Sequence, residues 1–184
     1  MGINAILNGL LQQLNNYSKS KMKRFLLISL IIVPILSFSQ GIEKKTEIQW
    51  LNLNKAEKLS KKYDSDMLIF FFRNGCPDCK QMKEQTLKDP EIIKLINENF
   101  FPVMINGRTK DTITYNGKKY SNQQPIKAGS FFRHDLYHEL VIDGGHQYYY
   151  PYIIIIDGDH NIKEYLPGAY PSIRLKRRLL EILK

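Results

Sequence analysis

The chain has 184 residues, of which 43% are hydrophobic and 24% are charged, and its formal net charge at pH 7 is +9. This length leaves room for one domain after an N-terminal segment. Four of the excess positive charges lie before residue 40, so the remainder carries +5. Much of that remainder clusters at Arg174, Lys176, Arg177 and Arg178, which is typical of a solvated helix face. The charge is too sparse for a nucleic-acid-binding patch.

The N-terminal segment has the order of a secretory signal. A basic patch over 21–24 precedes an almost wholly apolar run over 25–38, and small residues stand at its end. Signal peptides have this arrangement. We predict a signal peptide over 22–39 that is cleaved after Ser39, with export to the periplasm or out of the cell.

The apolar run also allows a second interpretation, an uncleaved N-terminal membrane anchor. It has about 14 residues and contains Pro34, whereas a spanning helix needs roughly 20 residues. The signal peptide is therefore favoured. Residues 1–21 stand in front of a normal signal start at Met22, and we interpret them as an extraneous extension. The domain is then 40–184.

This domain first alternates helices with strands and ends on a hairpin and a helix. A continuous apolar run over 67–72, bounded by turn residues, is typical of a central strand covered on both faces. Four helices are predicted: one over 54–63 capped by Asn52 or Asn54, one from Cys76 to about Leu87, one that begins at Asp89-Pro90, and a closing helix over 171–183. Three further strands are predicted: a second central strand over 100–105, a strand up to Ile156 that a proline opens, and a strand over 161–166. This order predicts a three-layer α/β/α fold around a mixed sheet.

Between the second strand and the proline-opened strand the apolar periodicity weakens, and we interpret 107–147 as an insertion. Asn116-Gly117 between alternating residues predicts a hairpin. The segment 133–142 is predicted to be a helix. Its His134 and His138, four residues apart, are interpreted as an exposed helix face.

The two cysteines of the chain, Cys76 and Cys79, form a Cys-Pro-Asp-Cys motif between the apolar strand and a helix. Backbone N–H groups and the helix dipole stabilise a thiolate at such an exposed helix N-terminus. Export places the pair where disulfides persist, but so short a loop makes a poor structural cross-link. The motif therefore predicts a thiol–disulfide oxidoreductase.

Three other functions stay open on the residues alone. A Cys-x-x-Cys motif can be half of a zinc site, although His134 lies about 55 residues away. Soft thiolates also select Cu(I), which would make the protein a copper metallochaperone. The third alternative is a non-catalytic module whose insertion binds a partner. We expect no metal, no cofactor, no nucleic acid and a monomer.

The element order, with a Cys-x-x-Cys after the first strand and a proline opening a later one, resembles the thioredoxin superfamily. The likeness is greatest to thioredoxin-like proteins such as the periplasmic C-terminal domain of DsbD-type reductases. The likeness covers roughly 50–184. Five segments resemble the family: the lead-in helix up to Tyr63, the strand into Cys76-Pro77-Asp78-Cys79-Lys80, the segment from Thr86 to Phe100, Tyr150-Pro151 with the strand that ends at Asp157-Gly158, and the segment from Leu166 to Tyr170.

The resemblance implies roles for particular residues. Cys76 would be the attacking nucleophile, Cys79 the resolving cysteine, and Pro151 a cis-proline that faces the pair. The implied substrate-facing residues are Pro77, Asp78 and Tyr150, the last through its backbone groups. The implied partners are protein thiols and disulfides.

Two positions depart from the family pattern. Phe70 stands where related reductases often carry a buried acid that takes the proton of the resolving thiol. We therefore expect slower exchange, or another acceptor such as Asp78 or water. Gly75 stands where a tryptophan often precedes the first cysteine, which predicts a more open site.

The residues between the cysteines also predict the direction of the reaction. No His or Lys lies there to create a strongly oxidising thiol, and the charge of Asp78 disfavours the thiolate. We expect a potential nearer to that of thioredoxin, about −270 mV, than to that of DsbA, about −120 mV. A reductase in an exported location needs a membrane electron donor.

Overall fold

A four-stranded mixed sheet forms the centre of the structure, a computed structural model that describes residues 45–122, 133–142 and 144–184. Along the chain the strands are β1 (Met67–Phe72), β2 (Phe101–Asn106), β3 (Ile113–Tyr115), β4 (Lys118–Tyr120), β5 (Tyr152–Ile156) and β6 (Ile162–Pro167). The sheet has the order β2-β1-β5-β6, while β3 and β4 form a separate hairpin. β1 pairs in parallel with β2 and antiparallel with β5, and β5 pairs antiparallel with β6. The predicted mixed sheet is confirmed.

Five α-helices accompany the strands in the described part of the chain. They are α1 (Leu53–Tyr63), α2 (Pro77–Glu84), α3 (Pro90–Asn99), α4 (Asp135–Tyr137) and α5 (Ser172–Ile182). Asn52 caps α1 by accepting a hydrogen bond from the N–H of Asn54, and Asp89 caps α3 in the same way. α2 is shorter than predicted, because the chain tightens into a 3-10 turn over Thr86–Lys88.

The segments predicted as an extension over 1–21 and as a signal peptide over 22–39 lie outside the described residues. The choice between a cleaved signal and an anchor stays a prediction. Where the chain is described, no helix has both the length and the apolar character that crossing a membrane requires.

β1 is buried on both faces and divides the interior into two cores. Met67, Ile69 and Phe71 pack with α1 and with the segment between β2 and β5, whereas Leu68 and Phe70 pack with α2, α3 and α5. This alternation follows from the two-residue period of a strand. The sheet therefore lies between two layers, as the three-layer prediction requires.

The prediction of a second central strand is wrong for β2. In the described residues, the outer edge of β2 meets only an isolated bridge from Leu51 to Val103, where the N–H of Leu51 donates to the carbonyl of Pro102 at 2.8 Å. The apolar run of β2 reflects burial of its faces, and that burial does not reveal whether both edges are paired.

The segment between β2 and β5 contains the predicted hairpin. Asn116 and Gly117 both have positive φ, 48° and 72°, which is the turn that two-residue hairpins favour. The predicted helix over 133–142 is only partly α-helical, because a single turn, α4, continues as a π-helix over His138–Ile142. The helix prediction is corrected accordingly.

His134 is fully buried, so the interpretation of an exposed histidine face is wrong at this position. Its Nδ1 accepts a hydrogen bond from the N–H of Leu136 at 3.1 Å and so caps α4. Its Nε2 lies 3.0 Å from the carbonyl oxygen of Asp111. These two contacts require a neutral ring that is protonated at Nε2.

We predict that acidification removes the contribution of His134 to stability. Burial lowers the pKa of His134 below its usual value of 6.5. Below that value the unfolded chain binds a proton that the folded chain does not, so this contribution is complete above about pH 6.5 and is lost as the pH falls. The measurement is urea unfolding of the native protein and of His134→Asn between pH 7.5 and 5. Asn keeps the cap but does not titrate, so the stability advantage of the native protein should shrink on acidification; a pH-independent difference contradicts this assignment.

Candidate active site

The two cysteines lie where β1 passes into α2. Cys76 is the N-cap residue of α2, and Pro77 occupies the first helical position, where a missing N–H costs nothing. Gly75 enables the turn before them, because its φ of +68° lies in the left-handed region that favours glycine. A Cβ at Gly75 would meet no atom within 4 Å, so this side of the site is open.

Cys76 and Cys79 form a disulfide with their Cα atoms 5.2 Å apart. The N–H of Cys79 donates to Sγ of Cys76 at 3.1 Å, so a thiolate at Cys76 has a hydrogen-bond donor and the N-terminus of α2 beside it. Cys76 is 6% exposed and Cys79 1% exposed. Cys76 is thus less exposed than predicted, because a neighbouring loop covers it, but it is the more accessible of the two.

The covering loop ends at the Tyr150–Pro151 peptide bond, which is cis as the resemblance implied. The carbonyl oxygen of Tyr150 lies 3.6 Å from Sγ of Cys76. The carbonyl of Pro151 accepts a hydrogen bond from the N–H of Gly168 at 2.9 Å. The structure therefore brings together four of the predicted site residues, Cys76, Cys79, Tyr150 and Pro151. Pro77 and Asp78 are exposed in the first turn of α2.

Tyr137 holds this loop in place, a role that no sequence pattern indicated. The hydroxyl of Tyr137 donates to the carbonyl of Tyr149 and accepts from the N–H of Tyr149 at 3.1 Å. The rings of Tyr137 and Tyr150 stack with centroids 4.8 Å apart. Burial raises the pKa of Tyr137, so the hydroxyl keeps its proton at neutral pH. The residue that follows β2 completes the support, because the carbonyl of Gly107 accepts from the Tyr150 hydroxyl at 3.0 Å.

Gly107 is a glycine because Tyr150 approaches it closely. A Cβ at this position would overlap the hydroxyl end of the Tyr150 ring. Burial also raises the pKa of Tyr150, although the positive charges of Arg133, Arg108 and Arg73 oppose the shift. The tyrosine hydroxyl therefore remains a donor to Gly107.

The position that lacks the expected acid is filled by packing. Phe70 is fully buried, and its ring lies 6.2 Å from that of Trp50 and 6.3 Å from that of Phe72.

Beside the disulfide is an open cleft of about 310 Å³, lined by Arg73, Asn74, Gly75, Cys76, Cys79, Lys80, Lys83 and Glu84. Glu84 is the carboxylate among these lining residues.

The histidines considered from the sequence lie elsewhere. The ring of His146 packs on Tyr165 with centroids 3.8 Å apart, and His138 meets the edge of Tyr148. His160 occupies the β5–β6 turn and packs against Tyr115. Over the residues that the structure describes, no group of three or more His, Cys, Asp or Glu side chains is placed to hold a metal ion.

Comparison with known proteins gives a family match and a shared fold. Residues 53–182 match the family described as thioredoxin-like domain. An uncharacterized protein of Archaeoglobus fulgidus is 25% identical over 85 residues, which are 46% of this chain and 65% of that protein. A thioredoxin from Thermus thermophilus is 17% identical, with a TM-score of 0.52 over 74% of this chain and 88% of that one. A DsbH oxidoreductase is also 17% identical, with a TM-score of 0.50 over 78% and 92% of the two chains.

We predict that Tyr137→Phe loosens the loop before Pro151 without removing the ring stack. The N–H and carbonyl of Tyr149 would lose their shared partner, which should cost about 1–3 kcal/mol of unfolding free energy. Amide hydrogen exchange at Tyr149 should accelerate at the same time. Tyr149→Phe, at a residue that is 53% exposed, is the matched control and should change neither quantity. Unchanged exchange in Tyr137→Phe contradicts the assignment.

Proposed function

The chain belongs to the thioredoxin-like family, and we propose that it is an exported thiol–disulfide oxidoreductase that reduces protein disulfides. One observation carries the proposal: the Cys76–Cys79 disulfide lies at a helix N-terminus and faces the loop of the cis Tyr150–Pro151 bond. The names of two proteins that share the fold, a thioredoxin and an oxidoreductase, agree with this reaction class.

In the proposed reaction Cys76 is the nucleophile. Its thiolate attacks one sulfur of a substrate disulfide and forms a mixed disulfide, and the departing substrate sulfur takes a proton. Cys79 then attacks Sγ of Cys76, which releases the second substrate thiol and leaves the protein oxidised. The greater exposure of Cys76 supports this order of attack, since substrate must reach it first.

Substrate would lie across the pair and the loop of Pro151. We propose that Pro77 and Asp78, exposed beside Cys76, contact the substrate, together with backbone groups of Tyr150. The carbonyl of Tyr150 already lies 3.6 Å from Sγ of Cys76. The support of this loop by Tyr137 and Gly107 keeps those groups in a fixed position relative to the sulfur.

Release of the proton from Cys79 is the step in which this site should be slow. Cys79 is 1% exposed, and the position from which a buried acid often serves is the fully buried Phe70. We propose that water or Asp78 accepts this proton. Either route requires the site to open to solvent during the reaction, because Asp78 is on the outer surface of α2.

We predict that Cys79→Ala accumulates a mixed disulfide with substrate, whereas Cys76→Ala forms none. Without the resolving sulfur, the bond between Cys76 and substrate cannot be broken from within the protein. The measurement uses reduced full-length protein mixed with insulin, alkylation, and non-reducing gels with mass spectrometry. Turnover should fall to the uncatalysed rate in both variants. A partner-binding module would instead capture its partner equally in the native protein and in both variants.

The reductase direction predicts the potential of the couple. We expect a value near about −270 mV, measured by alkylation and mass spectrometry across a dithiothreitol ladder, and the protein would then depend on a membrane electron donor for reduction. A value above roughly −180 mV, in the range of isomerases and oxidases, reverses the proposed direction. Cysteines that alkylate only after unfolding would remove the catalytic proposal and favour metal or partner binding.

A further inference from the structure

Positively charged side chains line the cleft beside the disulfide. Arg73, Lys80 and Lys83 line the cleft that both cysteines also line. Nη1 of Arg73 lies 3.5 Å from the carbonyl oxygen of Gly75, next to Cys76. Nζ of Lys83 lies 3.8 Å from the centroid of the Phe72 ring, a cation–π contact that holds the ammonium group at the wall of the cleft.

Two further arginines lie next to the loop of Pro151. The guanidinium carbon of Arg133 lies 3.6 Å from the centroid of Tyr148, whose ring stacks on Tyr137. Arg108 directly follows Gly107, the residue that anchors the Tyr150 hydroxyl. We call these five side chains, Arg73, Lys80, Lys83, Arg108 and Arg133, the basic rim.

Arg73 and Arg133 both act electrostatically on Arg108. Burial lowers the pKa of Arg108 most, and the positive charges of Arg73 and Arg133 lower it further. The same three arginines act on Tyr150. Two carboxylates of the described residues lie on the same side as the cleft: Glu84 lines it, and Asp78 is in the first turn of α2. Like charges that converge on an open site favour an anionic partner, since its binding relieves their repulsion.

We propose that the basic rim selects acidic polypeptide segments, so that the preferred substrates carry Asp or Glu beside the disulfide that Cys76 attacks. This proposal rests on the proposed function, because it names the substrate class of the same site. Arginine supplies paired N–H donors that match a carboxylate, and it stays charged at any physiological pH. A carboxylate on one side of the target disulfide would meet Arg73, Lys80 and Lys83. A carboxylate on the other side would meet Arg108 and Arg133.

The reaction itself is unchanged by this selection. The Cys76 thiolate displaces one peptide sulfur from the peptide disulfide, and that sulfur takes a proton from solvent. The Cys79 thiolate then displaces the second peptide sulfur from Sγ of Cys76. Two electrons pass from the reduced protein to the peptide, so the reduced protein is the reductant and no other is needed for a single turnover.

The test uses single-turnover reduction of two disulfide-linked peptide dimers by the reduced full-length protein. The dimers are identical except that Asp flanks the cysteine in one and Ser in the other. At low salt the native protein should reduce the Asp dimer about tenfold faster, as electrostatic steering allows, and 0.5 M salt should remove most of this preference. A rate ratio of one at low salt overturns the inference and leaves the proposed function standing, whereas absence of exchange with both dimers overturns the proposed function itself.

Charge reversal locates the effect. The variant Arg73→Glu/Lys80→Glu should lose the preference for the Asp dimer, whereas Arg177→Glu/Lys184→Glu makes the same charge change at exposed positions at the end of the chain and should keep it. The readout is the ratio of the reduction rates of the Asp and Ser dimers. A change in the reactivity of Cys76 alters both rates equally and cancels from this ratio. Thermal unfolding verifies that both variants fold. An unchanged ratio in the rim variant overturns the assignment to the basic rim.

Discussion

The antiparallel pairing of β1 with β5 is the constraint on which the site depends. Its register places Phe71 opposite Tyr152, so the residues that follow β1 and the residues that precede β5 emerge at the same end of the sheet. Cys76 follows β1, and Pro151 precedes β5. Pairing of β1 with β5, between the two cores, therefore brings the two halves of the site together. The loops only place Cys76 and the Tyr150 carbonyl at their final distance. Any change that shifted this register would separate the sulfur from the Tyr150 carbonyl while leaving the local motifs intact.

The loop before Pro151 shows how the segment between β2 and β5 contributes to the site. Tyr137 is fully buried and packs edge-on against Phe71 of β1. Its hydroxyl therefore reaches Tyr149 from a position fixed by the core. Gly107 anchors Tyr150 from the end of β2. The segment between β2 and β5 therefore supports the site structurally, through Tyr137, Gly107 and the loop that ends at Tyr150.

Local signals predicted the parts of the fold that depend on neighbouring residues. The apolar run of β1, the Pro77 that opens α2 and the Asn116-Gly117 turn each carry a physical preference within a few residues. The errors arose where the outcome depends on distant residues. His134 is buried and its Nε2 meets the carbonyl of Asp111, and β2 is an edge strand because of the sheet order. The hydroxyl contact of Tyr137 with Tyr149 joins two segments whose approach only the complete fold determines.

The electrostatics of the site combine two opposing requirements. The N–H of Cys79, which donates to Sγ of Cys76, and the positive charges of Arg73, Lys80 and Lys83 along the cleft favour a thiolate at Cys76. The charge of Asp78 and the low exposure of both sulfurs act against the thiolate. The residues between the cysteines alone therefore underestimate the positive charge that Cys76 experiences. An acidic substrate that binds the rim would bring its disulfide to Cys76, so the cations that favour the thiolate would also bind the substrate. Substrate selection and the reactivity of Cys76 are thus two consequences of the same group of cations.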